Sequence, residues 1–230
     1  MEISRFYLAH NVDDLSWGVK DGYEHILQPI LQHYALEDKV ENGPTYRFCG
    51  REIVQLLDFW IKVSCTANII KILPINFDSR GRKDTDSATD GEKSQLQSVV
   101  GSLGFTTRMS QLWFQYDVSR LQSITKCANI SQLKYCNDIL SEAKEQAELG
   151  LYYKASAFNW NELIILSFGD ASWAGDEKIV EDKVFPRRSQ YGRITILANP
   201  EMWDGELGHG YYIASKSGLI HRVCQSTMRA

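Results

Sequence analysis

Apolar positions along this chain recur at two spacings, and the change from one to the other divides it. From Asp21 to Tyr34, the residues Tyr23, Ile26, Leu27, Ile30, Leu31 and Tyr34 fall on one face of a helix, which Pro29 is expected to disturb. The stretches YRFCGREIV (46–54) and DFWIKVS (58–64) are aromatic and β-branched and predict two paired strands. With the segment around Asp13 they suggest a sheet covered by that helix. Residues 78–94, DSRGRKDTDSATDGEKS, hold almost nothing apolar and predict a linker or exposed loop, because burial there cannot offset the entropy of ordering. Next, Leu96, Val99, Val100 and Leu103, then Leu112, Trp113, Tyr116 and Leu121, then Leu133, Tyr135, Cys136, Ile139 and Ala143 recur near helical spacing and predict three successive helices. At Gly150 the character changes. The runs 151–158, 162–168, 193–199 and 209–215 are short and strand-like, separated by turn formers. The expectation is an α+β chain in four parts: 1–73, a linker at 74–94, a helical region at 95–149 and a mainly β region at 150–230.

Composition narrows the class without naming a function. A chain of 230 residues, 43% hydrophobic, can bury a substantial core in one large or two smaller domains. There is no apolar stretch near the length of a membrane span and no basic-then-apolar start, so the expectation is an intracellular protein, nuclear or cytoplasmic, with no membrane partner. Cys49, Cys65, Cys127, Cys136 and Cys224 are odd in number and lack paired metal-ligand spacing, which points to reduced thiols, with Cys49 and Cys65 in the core. A formal charge of −4 gives no global attraction to phosphates, so nucleic-acid binding would need local basic patches or a metal.

Two places carry candidate chemistry. Asp13 and Asp14 lie side by side between apolar neighbours in AHNVDDLSWG (9–18). Adjacent carboxylates repel, so the pair either sits on a wet turn or is neutralised by a cation. Asp170 ends the most hydrophobic run of the chain, ELIILSFGD (162–170). A strand ending in an Asp turn is one reading; a catalytic carboxylate where a buried strand emerges is the other. Arg187, Arg188, Arg193 and Arg222 are candidate phosphate contacts or solvated surface charges. His25 and His33 flank the first helix as structural or exposed groups, and Trp17, Trp173 and Trp203 are either core or base-stacking residues.

The order and wording of these pieces resemble the Pol polyprotein of copia-type retrotransposons, from the late reverse-transcriptase palm into ribonuclease H. NVDDLSWG resembles the family's Val-Asp-Asp hairpin, and YRFCGREI its Phe-Leu-Gly-x-Glu-Ile strand. LQSVVGSLGF is similar to its Tyr-Arg-Ser-x-x-Gly-Ser-Leu helix and YDVSRLQS to the Val-Ser-x-Leu continuation. GDASWAG resembles the opening of its ribonuclease H, RRSQYG its Arg-Lys-Ser-Thr-Ser-Gly turn, and VCQSTMRA the approach to a Glu-bearing helix. Where the family has an aromatic before the hairpin's Val, this chain has Asn11, or His10 if one residue is inserted; Gln111-Leu112-Trp113 replaces its Arg-Pro-Asp, and Ser172 its second ribonuclease H Asp.

The resemblance implies a palm-like sheet and helix, a helical connection and a partial ribonuclease H-like mixed sheet. It gives Asp13 a direct role on Mg²⁺ and Asp14 a supporting one, makes Asp170 a metal ligand of the second site, and implies an RNA/DNA template–primer as partner. Each site would also need a carboxylate that this chain does not supply, one well upstream and one a Glu after Ala230, so the chain alone is expected to be inactive. A rival expectation is a non-catalytic nucleic-acid-binding or interaction module built on the same elements.

Overall fold

Residues Phe6–Asn11 (β1) and Asp14–Val19 (β2) pair as an antiparallel hairpin in which Asn11 faces Asp14. The computed structural model describes residues 6–11, 14–19, 22–33, 43–154, 158–159, 161–180 and 183–220. The first helix starts later than its apolar face predicts. A 3₁₀ turn at Glu24–Ile26 precedes α1 (Gln28–His33), with Pro29 in the opening turn of α1, where a missing N–H costs nothing. Tyr34 and Asp21 lie outside the described residues.

The run 46–54, expected as one strand, is a hairpin in itself. β3 (Thr45–Phe48) and β4 (Arg51–Gln55) are joined through Cys49 and Gly50, both at positive φ (51° and 71°), as a two-residue turn that follows strand twist demands. Cys49 is thus a half-buried turn residue and not a core thiol, whereas Cys65 is buried. β5 (Ile61–Ser64) pairs with β4, and β6 (Leu151–Tyr153) pairs with β5, so the first of the late strand-like runs joins the early sheet. All these pairings are antiparallel. The β1–β2 hairpin is a separate two-stranded sheet, linked to β3 by a Ser16 hydroxyl that donates to the Tyr46 hydroxyl at 3.4 Å.

A short helix that the periodicity does not predict, α2 (Thr66–Lys71), follows β5, and three helices then stand where the periodicity puts them: α3 (Asp90–Met109), α4 (Gln115–Ile124) and α5 (Ile130–Glu145). The starts of α3 and α5 are fixed by reciprocal caps, Thr89 with Glu92 and Asn129 with Gln132. Their apolar faces meet in one core that runs from Cys65, Ile69 and Ile75 through Leu96, Val100 and Leu103 to Leu133, Leu140 and Ala147.

The polar segment 78–94 is fastened to this core. Arg82 grips Glu92 through two hydrogen bonds, 2.6 and 3.1 Å, and Lys134 reaches Asp84 at 2.7 Å. Backbone N–H groups of Ala88, Ile130 and Ser131 donate to carbonyls of Ala128, Asp86 and Asp84. Polar side chains thus supply the ordering that apolar burial does not. Principally because of Arg82, the Glu92 carboxyl is lowered from 4.5 to about 2. A carboxyl depressed by folding stabilises fully above its unfolded value, so this contribution is lost as pH falls from about 4.5 to about 2. In Arg82→Met, denaturant midpoints at neutral pH should drop and the acid loss in that window should shrink; an unchanged acid profile would show that the pair does not fasten the segment.

The last sheet is a meander of β7 (Ile164–Val180), β8 (Lys183–Ala198) and β9 (Gly210–Leu219). Both pairings in it are antiparallel. β9 docks on the helices: the Tyr212 hydroxyl donates to the Arg108 carbonyl at 2.9 Å, and Gln115 Nε2 donates to Ser215 Oγ. No helix among the described residues is long and apolar enough to cross a membrane.

Candidate functional site

Strand pairing decides what surrounds Asp170. It lies in β7 opposite Gly192 of β8, and Gly192 in turn pairs with Ser217 of β9. Side chains of paired residues share a face, and alternation adds Phe168, Ile194 and Ser215 to it. Because Gly192 has no side chain, the carboxylate next to it stands over open space. Asp170 is exposed, and its Oδ1 accepts a hydrogen bond from the following backbone N–H of Ala171 at 2.8 Å. A cavity of about 510 Å³ opens between this face and the start of α4, lined by Leu112, Trp113, Gln115 and Tyr116 on the helical side. Gln190, buried on the same face, donates from Nε2 to Ser217 Oγ at 2.9 Å.

Arg193 does not share this face. It is adjacent to Gly192 and pairs with Gly169 and Lys216, so alternation sends it to the other side of the sheet, where the Lys216 ammonium lies 5.8 Å from the Tyr191 ring. The structure therefore brings together Asp170 and a polar, partly aromatic wall; Arg193 and Lys216 also line that cavity, but no ion pair joins Arg193 to the carboxylate. Arg187 and Arg188 have described backbone only, in β8, and Arg222 lies outside the described residues.

Asp14 is the first residue of β2, and Asp13 lies outside the described residues, in the two-residue gap between β1 and β2. On either side of that gap the backbone of β1 pairs with β2, ending with Asn11 opposite Asp14. His25 and His33 are exposed, Trp203 is exposed on a 3₁₀ turn (Pro200–Asp204), and Trp17 is half-buried. Among the described residues no group of three or more His, Cys, Asp or Glu side chains could hold a metal ion. Asp170 offers one carboxylate, which does not complete a Mg²⁺ site.

Two residues that sequence reasoning passed over have structural work. Glu52 accepts from the Ala67 N–H at 3.1 Å and the Ser64 hydroxyl at 3.3 Å, capping the start of α2. Gln111 is fully buried against the end of α5. No family's sequence pattern matches the chain, and neither a curated protein nor a solved structure is significantly similar to it.

Proposed function

We propose that this chain is a segment of a copia-type Pol protein, with ancestral RNA-directed DNA polymerase and ribonuclease H activities and an RNA/DNA template–primer as partner. The observation that carries this reading is the order of its motifs around three carboxylates, Asp13, Asp14 and Asp170. A hairpin whose second arm begins at Asp14 supports it, as does an Asp on the first strand of an antiparallel meander. Both reactions are in-line displacements at phosphorus, for which two Mg²⁺ ions stabilise the attacking and leaving oxygens. The chain's own contribution is a carboxylate to each of two sites on separate sheets. A second reading, a non-catalytic module, is favoured by the absence of a second carboxylate beside Asp170 among the described side chains.

Iron(II)-directed hydroxyl-radical cleavage separates the two, since iron in place of Mg²⁺ cuts the backbone beside its ligands. Cuts are expected around residues 13–14 and around 170, suppressed by excess Mg²⁺. The first set should vanish in the Asp13→Ala, Asp14→Ala double variant and the second in Asp170→Ala. A folded chain with no cut at either place favours the non-catalytic module.

A further inference from the structure

A second cavity, about 750 Å³, lies away from Asp170, between the β4–β5 hairpin, the end of α3 and β9. Three cations line it, Arg51, Arg108 and Lys154, and no Asp or Glu does. In a chain of formal charge −4 that is a local concentration of positive charge. None of the three side chains has an ion-pair partner among the described residues. Arg51 goes further: its Nε is shut off from solvent and has no hydrogen-bond partner. A ligand in the cavity would meet Arg51 through its terminal nitrogens, and a guanidinium pairs best with an anionic oxygen.

Rings stand beside the charges. Tyr153 and Tyr211 meet edge to face at 5.3 Å between centroids, and the Lys154 ammonium lies 5.5 Å from the ring of Trp60, the residue before β5. Phe59 is 67% exposed and is held at a φ of 63°, a left-handed conformation that a bulky residue seldom adopts. The loop that holds it is closed by Leu56 N–H to Trp60 carbonyl at 2.7 Å and Phe59 N–H to Leu56 carbonyl at 3.0 Å. An aromatic side chain is thereby presented at the mouth of a cationic cavity.

We propose that this cleft binds a phosphorylated nucleoside, with the phosphate on Arg51, Arg108 and Lys154 and the base against Phe59, Tyr153 and Tyr211. A planar guanidinium matches phosphate oxygens, and every base has a flat face that stacks on a ring. The cavity volume lies within the range of small-molecule sites. An acidic peptide would meet the charges and leave the rings uncovered. The site uses none of the carboxylates of the proposed function and goes beyond that reading.

Calorimetric titration of the whole chain tests it, with adenosine monophosphate, adenosine, inorganic phosphate, a terminally phosphorylated oligothymidylate and polyglutamate as probes. Binding by the monophosphate alone assigns a free nucleotide, and binding by the oligothymidylate alone assigns a strand end; either supports the site. Adenosine and phosphate should each bind at least about tenfold more weakly than the two joined, since charge-assisted bonds and stacking both contribute. Arg51→Ala should weaken binding by about tenfold or more. Phe59→Ala and Lys154→Gln, which alter exposed or half-exposed positions, decide the matter if Arg51→Ala does not fold. The proposal is overturned if no phosphorylated probe binds, if polyglutamate binds as tightly, or if these folded variants bind as the parent does.

Discussion

Gln111→Ala is expected to destabilise the chain by about 3 kcal/mol or more, from lost hydrogen bonds and a cavity together. The side chain is fully buried, and its Nε2 donates to the carbonyls of Ala143 at 2.8 Å and Gln146 at 3.1 Å. These lie at the end of α5, where a helix leaves its last carbonyls without internal partners. Alanine strands the Ala143 carbonyl in the core, leaves the half-buried Gln146 carbonyl with the Leu149 N–H alone at 3.0 Å, and removes the volume beside them, a loss that deleting the unpartnered Gln111 Oε1 offsets only in part. Gln111→Leu restores most of the volume but not the donors, so it should cost less than alanine while remaining destabilising. Urea unfolding at unchanged slope measures both differences. A loss below about 1 kcal/mol for alanine would mean that water or a shifted backbone replaces the amide.

Gly150→Ala should be comparably damaging, by about 2–4 kcal/mol, because it forces a clash with backbone. A Cβ at Gly150 would stand 2.6 Å from the Val63 carbonyl oxygen and 3.2 Å from its carbon, just where β6 joins β5. Gly104→Ala provides the control. Its Cβ would meet Gln122 Nε2 at 2.6 Å, but that atom ends an exposed, flexible side chain that can swing away. Inside α3 the change then gains the helix preference of alanine, up to about 1 kcal/mol. Thermal unfolding should show opposite signs for the two variants; equal losses would place the crowding somewhere other than β5–β6.

The helices were legible because their information is local. In α3, α4 and α5 the apolar residues that mark each helix recur within a few positions of one another. The hairpin inside 46–54 was hidden because apolar and aromatic residues run up to a turn marked by a single glycine, with Cys49 taking the other left-handed position. The fastening of 78–94 was not legible either. Its partners, such as Lys134 for Asp84, lie on a helix that sequence pattern alone does not bring alongside. At the candidate site, a strand-borne Asp170 follows from the hydrophobic run that precedes it. The separation of Arg193 from Asp170 does not, since it depends on Gly192 being the residue paired with Asp170.

Those distinctions bear directly on function, because the proposed reading requires two independent carboxylate sites in one chain. The most direct test is a chimera that continues this chain at both ends with the corresponding segments of a copia-type Pol protein, assayed with Mg²⁺ for primer extension on RNA and for cleavage of RNA in a hybrid. The expected result is a crossed pattern. The Asp13→Ala, Asp14→Ala double variant abolishes extension and spares cleavage, whereas Asp170→Ala abolishes cleavage and spares extension. A folded chimera in which neither activity appears, or in which both activities survive all three substitutions, would contradict the assignment of these carboxylates.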